Sequence, residues 1–144
     1  MTTLARAGSI VIVPDRGSVW WRDEREHSTV AQSLTRVFGG ALVAQEAAVT
    51  GGQPLTLAGG EPYAVIRQAT LDALLALGAP AGAQITVTLD DARAYTCLPS
   101  RAGGLWIGHR AVEAGGAGSP LLPLDDDTWY WLDALRLIIL AGPL

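Results

Sequence analysis

Three Gly-Gly pairs cut the stretch from Phe38 to Gly60, FGGALVAQEAAVTGGQPLTLAGG, into short apolar pieces, and no other feature constrains the fold more. Glycine costs a helix interior about 1 kcal/mol and takes positive φ freely, so pairs at this spacing mark turns. The alternative is a loop that cradles phosphate. It needs a Gly-Lys-Ser/Thr continuation, or a Gly-x-Gly-x-x-Gly run opening a helix. All ten basic residues are Arg, Gly39-Gly40 runs into ALVAQ, and Gly115-Gly116 runs toward Pro120. Turns therefore win. The Ala content of Ala41 to Val49 favours helix, but the segment is short and glycine bounds it on both sides. The block is expected to form two strands, Ala41 to Val49 and Pro54 to Leu57, around a turn at Gly51-Gly52.

The rest of the chain alternates short β patterns with turn chemistry. Ser9 to Val13 (SIVIV) predicts a buried strand. Residues 14–29, PDRGSVWWRDEREHST, predict a charged loop carrying Val19-Trp20-Trp21. Val30 to Val37 suits a strand or an irregular helix, and its periodicity does not decide. Thr70 to Leu77 predicts the one clear helix, with Thr70 as N-cap, Asp72 in the first turn and Gly78 and Pro80 at its end. Leu71, Leu74, Leu75 and Gly78 would share its packed face. The run QITVTLDDARAYTCL predicts a hairpin: Ile85, Val87 and Leu89 alternate with Thr86 and Thr88, and Asp90-Asp91 start the turn. Tyr95 and Cys97 return on one face.

Leu105 to Val112 predicts a further strand, and residues 114–123 a flexible Gly/Pro connection. The final run, TWYWLDALRLIIL, predicts a strand covered on much of both faces. Alternation would place Trp129, Trp131, Asp133, Leu135, Leu137 and Ile139 on one side. Tyr130, Leu132, Ala134, Arg136 and Ile138 would take the other. One helix among many strands implies a single domain over residues 1–144, mainly β with one short α-helix (α+β). A small β-sandwich or partly open barrel with the helix packed on it satisfies that pattern.

Charge and rare residues narrow the function. A net charge of −4 argues against non-specific nucleic-acid binding, which needs a basic face. The single cysteine, Cys97, permits neither an internal disulfide nor a cysteine-based metal site, and suits a reducing cytosol. No apolar run approaches the roughly twenty residues of a membrane span. The imidazoles are His27, in a charged run, and His109, in a strand pattern. A nucleophile would have to be Cys97 or a Ser working with His109, and no nucleophile-elbow motif accompanies either. Asp125-Asp126-Asp127 lacks the spacing of a calcium loop. Glu24 with Glu26, and Asp90 with Asp91, suit surface charge better than a carboxylate pair. No catalytic residue, cofactor or metal is expected.

The tryptophans carry more information, five against a single Phe. Adjacent residues of an extended chain point to opposite sides. Trp20-Trp21 and Trp129-Tyr130-Trp131 must therefore be covered on both faces within the domain, or else meet a second polypeptide. Trp, Tyr and Arg dominate binding energy at such interfaces, which makes Trp20, Trp21, Arg22, Trp129, Tyr130 and Trp131 the candidate contact residues. Exposed Trp stacking on carbohydrate is a further alternative.

The run VWWRDEREHSTVAQSLTRVFGGALVAQE resembles the start of small tail or baseplate proteins of long-tailed bacteriophages. The likeness rests on Trp21, Asp23-Glu24, Ser28 and Val30, Gly40-Ala41-Leu42 and Gln45-Glu46. The later GGQPLTLAGG, the Leu-rich helix, the Thr-Leu-Asp hairpin and the last strand are similar in order and spacing, over residues 10 to 140 in all. One departure is Ala92, where hairpins of this kind carry Gly. The resemblance implies a virion component without enzymatic activity, assembled in the bacterial host cytoplasm. It would form part of a ring at the tail tip with copies of itself and other tail proteins. Tail-terminator and head–tail connector subunits, also small and strand-rich, are the neighbouring alternatives. Closed rings repeat one heterologous contact by rotation. The Trp20-Trp21 loop and the Trp129–Trp131 segment are the expected patches.

Overall fold

The structure is a computed structural model that describes residues 1–28, 30–49, 51–60, 63–112 and 128–142. The expected connection at 114–123 and the acidic run Asp125-Asp126-Asp127 lie outside the described residues. In chain order the strands are β1 (Thr2–Arg6), β2 (Ser9–Val13), β3 (Arg16–Gly17), β4 (Trp20–Trp21), β5 (Val30–Arg36) and β6 (Leu42–Ala48). After them come β7 (Pro54–Ala58), β8 (Ala64–Arg67), the helix α1 (Gln68–Gly78), β9 (Ile85–Thr88), β10 (Ala94–Pro99), β11 (Ile107–Ala111) and β12 (Trp129–Ala141). A mainly β fold with one short helix is what the glycine punctuation and the short apolar runs require.

The thirteen-residue β12 is the spine. Along one edge it pairs antiparallel with β10 and then β11, and along the other with β7 and then β8. From β10 the sheet continues through β9 and β1 to β2. The chain leaving β2 forms β3, which pairs with β8 and so returns to β12. The sheet thus curls almost back on itself as a partly open barrel. Helix α1 packs against β2 and β8, across the gap. One continuous core fills the interior, with Leu4, Val13, Leu55, Leu57, Ile66, Leu74, Ile85, Leu132 and Leu135 among its most enclosed members. Each such side chain contributes about 1.5–3 kcal/mol by leaving water.

Strict alternation fails inside β12, and the pairing register shows why. Gly108 faces Ala134 while His109 faces Leu132, so Asp133 is an extra residue on the β12 side. A bulge of this kind shifts every later side chain to the other face. Leu132, Leu135, Leu137 and Ile139 therefore join the main core, while Trp129 and Trp131 enter a separate small cluster with Val65. The expected single row from Trp129 to Ile139 is corrected accordingly.

Three further expectations need correction. The stretch 14–29 is not all loop, since β3 pairs with β8 and β4 with β7. Gly51-Gly52 does not join paired strands. β6 pairs with β5, and the chain passes these glycines to enter the main sheet as β7, with the Gly52 N–H donating to the Ile139 carbonyl at 2.8 Å. The helix begins at Gln68, so Thr70 lies inside it, Asp72 lies past its first turn, and the N-cap Arg67 makes no side-chain capping bond. At the other end, residues distant in sequence satisfy the orphan carbonyls. Arg6 Nε donates to the Leu77 carbonyl at 2.8 Å, and the Arg101 guanidinium donates to those of Gly78 and Pro80.

Candidate functional site

Strands β5 and β6 form their own two-stranded sheet, paired from Val30↔Ala48 to Arg36↔Leu42 and, among the described residues, joined to no strand of the barrel. Every residue of both strands is exposed. Seven extended residues reach about 23 Å, so the pair is an arm. Its turn closes through Gly40 N–H to the Val37 carbonyl at 2.9 Å, with Gly40 at φ 82. Phe38, the only phenylalanine, stands fully exposed at the tip. Val30, Leu34, Leu42 and Val43 are exposed along the arm. Across the pair, Gln32 Nε2 donates to Glu46 Oε1 at 2.6 Å.

The arm leaves the body at a fixed point. Asp23 and Thr56 are both buried; the Asp23 carboxylate accepts from the Thr56 N–H at 3.0 Å and from its hydroxyl at 2.8 Å. The Arg22 N–H donates to the Thr56 carbonyl at 2.9 Å. These bonds clamp the segment entering β5 onto β7. Sequence reading took Asp23 and Glu24 as a pattern of resemblance and missed the clamp, because a lone Asp in a charged run carries no mark of burial.

The six candidate contact residues divide sharply. Trp20 is 48% exposed and meets Tyr63, itself exposed, edge-on at 6.0 Å. Arg22 is exposed beside it in sequence. Trp21 turns inward, edge-on to Tyr95 at 5.5 Å with the Arg93 guanidinium 5.7 Å above the ring. Trp129 and Trp131 are buried within their own chain, Trp129 beneath the Arg67 guanidinium at 4.7 Å. Tyr130 is partly buried, edge-on to His109 at 5.6 Å. Trp20 is thus the indole that faces outward, and Tyr63 and Phe38 join it as exposed aromatics.

Beside Trp20 and Trp21 lies a shallow cleft of about 200 Å³, walled also by Thr2, Glu24, Asp90 and Arg93. Arg93 Nη1 bonds Glu24 at 2.5 Å and Arg93 Nε bonds Asp91 at 2.6 Å. The Arg93 backbone N–H, followed by its side chain, holds the Asp91 carboxyl below its ordinary range, and these carboxylates hold the guanidinium more firmly charged. The charges here neutralise one another across the β9–β10 turn.

Cys97 and His109 are kept apart by the sheet. Cys97 faces Ile139 and His109 faces Leu132 on the same spine. Seven residues of strand separate those positions, about 23 Å. The Cys97 thiol is buried, which pushes its pKa up to about 12, and His109 Nδ1 lies 3.3 Å from the Ile107 carbonyl. Two such groups do not form a nucleophile–base pair. Among the described residues, no cluster of His, Cys, Asp and Glu suits a metal ion, and no helix is long and apolar enough to cross a membrane.

Fold and site define a class: a small, partly open β-barrel bearing a projecting two-stranded arm. No protein-family model, curated protein or solved structure matches the chain.

Proposed function

We propose that the chain is a non-enzymatic structural subunit of a bacteriophage virion, part of a tail-tip or baseplate ring held together by subunit–subunit contacts. The observation that carries a subunit role is the arm. A two-stranded hairpin without a third strand or a packing surface is marginal in water. This one exposes Phe38, Leu34 and Leu42, along with its outer backbone edges. Cover from another polypeptide resolves that exposure. The virion assignment draws on the resemblance of Trp21, Asp23-Glu24, Gly40-Ala41-Leu42 and Gln45-Glu46 to small tail proteins. Light scattering and negative-stain microscopy of the purified chain test the subunit role, with closed rings or defined oligomers expected. A chain that stays monomeric at every concentration, with and without tail proteins, overturns it. Mass spectrometry of purified virions tests the assignment to a tail.

The cleft beside Trp20 favours one second reading, a carbohydrate-binding module. A half-exposed indole next to carboxylates and a guanidinium presents a stacking face with polar groups at its rim. Glycan-dependent quenching of Trp fluorescence that is lost in Trp20→Ala would support it.

A further inference from the structure

Arg6 is a partly buried cation without an anion. Its Nε donates to the Leu77 carbonyl at the end of α1, at 2.8 Å, which uses one of the guanidinium's donors. Among the described residues no carboxylate pairs with it. Arg93, also partly buried, is by contrast held between Glu24 and Asp91. Taking a charge out of water without a counter-charge is costly, so a guanidinium in this position favours an incoming anion.

The surroundings of Arg6 are hollow. Between β2 and α1 lies a cleft of about 490 Å³, with Ile10, Val11, Ala73, Ala76 and Leu77 as its apolar walls. A neighbouring cleft of about 440 Å³ opens beside the β1–β2 turn and shares Arg6, Ser9 and Ile10 with the first. Among the described residues, Arg6 is the only ionisable one on the walls of either. The chain carries a net charge of −4, yet this stretch is locally positive. Each volume falls in the range of small-ligand pockets, about 300–1,000 Å³, which join apolar walls to a few placed polar groups.

We propose that these clefts form a binding site for a small alkyl carboxylate, its headgroup paired with Arg6 and its chain laid between β2 and α1. With Nε taken by Leu77, the end-on pair Nη1 and Nη2 remains, and it matches a carboxylate bidentately. The alkyl chain leaves water against Ile10, Ala73 and Ala76, a gain proportional to the apolar area covered. A ligand with both parts is required. An inorganic anion leaves the walls wet, and a neutral hydrocarbon leaves the guanidinium unpaired. The helix packed beside β2 is here a wall of the site. The proposal does not depend on the subunit reading.

Calorimetric titration of the full chain with octanoate tests it, with 1-octanol and acetate as partial ligands. Octanoate is expected to bind at one site. 1-Octanol, lacking the charge, should bind at least about tenfold more weakly, the equivalent of one charge-assisted hydrogen bond. Acetate, lacking the chain, should give no measurable heat. In methyl NMR spectra the signals of Ile10, Ala73 and Ala76 should shift with octanoate, while those of Ala44 and Ala47 on the exposed arm stay fixed. Arg6→Gln should weaken octanoate at least about tenfold. Because that change also removes a bond to Leu77, Ala76→Phe serves as a second variant, filling the cleft from an exposed helix position. It should weaken octanoate to a similar degree. Failure of octanoate to bind, or 1-octanol binding as tightly, overturns the proposal. So do shifts spread equally over arm and cleft, or an affinity unchanged in Ala76→Phe.

Discussion

Ala92 holds in the β9–β10 turn the place that Gly40 holds in the β5–β6 turn. Both are left-handed, at φ 69 and φ 82, and both donate their N–H to the carbonyl three residues earlier, Leu89 and Val37 respectively. The flanking bonds match as well, Leu89 N–H to Arg93 and Val37 N–H to Ala41, each at 2.9 Å. A Cβ in this conformation costs about 1–2 kcal/mol. Glycine returns part of that gain through its freer unfolded chain. Ala92→Gly is therefore expected to raise stability by about 0.5–1 kcal/mol, read as a higher urea midpoint with unchanged slope. A lower midpoint would mean that the Arg93–Asp91–Glu24 bonds depend on the alanine backbone.

Glycine serves another purpose at Gly78, where the helix ends against a buried indole. A Cβ there would lie 2.6 Å from Trp106 Nε1 and 2.7 Å from Cε2. Trp106 is enclosed in the core and cannot swing away. Gly78→Ala should cost about 1–3 kcal/mol as an overpacking change, despite alanine's better helix propensity. Gly82, with open space around its would-be Cβ but φ 71, is a useful comparison. Gly82→Ala should lose only the left-handed strain of about 1–2 kcal/mol.

The Asp23–Thr56 clamp predicts an asymmetry between substitutions. Thr56→Val keeps shape but leaves one carboxylate oxygen without its hydroxyl partner, at a cost of about 1–3 kcal/mol. Thr56→Ser retains the donor and should lose under about 1 kcal/mol, the methyl group alone. Chemical denaturation separates the two, and equal losses would show that packing rather than the hydrogen bond matters at this position.

What the sequence made legible follows from how locally each feature is determined. The β9–β10 hairpin was readable because Ile85, Val87, Tyr95 and Cys97 alternate about a turn written in Asp90-Asp91. The mainly β class with one short helix was readable because glycine pairs forbid long helices there, whereas sandwich and barrel were not told apart. Pairing partners were not. Nothing in Ala41 to Val49 distinguishes a strand paired back to Val30–Arg36 from one paired forward to Pro54–Ala58, and only the stray small residues Ala31, Ser33, Ala44 and Ala47 hint that neither face is buried. The bulge at Asp133 was equally hidden, since it arises from register against β11 and reverses the faces of Trp129 and Trp131 relative to Leu135. Burial of those two indoles within the chain is a tertiary outcome that adjacency alone could not assign.

Cys97 offers a pH test. Its pKa is pushed up to about 12 by burial, above the value of an unfolded thiol near 8.5. The folded state therefore holds the proton more tightly. Its contribution to stability is complete below about pH 8 and falls as pH rises toward 12, because the unfolded thiol ionises first. Urea midpoints should decline across that interval more steeply in wild type than in Cys97→Ala, which lacks the group. In native buffer at pH 8 an aromatic disulfide reagent should label Cys97 only at the rate of unfolding. Rapid stoichiometric labelling would place the thiol at the surface.

Removing the arm separates its role from that of the barrel. Val30 and Ala48 are directly paired, so the ends of the arm lie about 5 Å apart and a linker of a few residues spans them. No arm residue belongs to the main core. Replacing residues 30–49 with a short Gly/Ser linker should leave a cooperative unfolding transition within about 1 kcal/mol of the wild type, since loop length enters closure entropy only logarithmically. The same change should abolish oligomers seen by light scattering. A shortened chain that fails to fold would make the arm part of the folding unit, and one that still assembles would move the subunit contact to Trp20 and Tyr63.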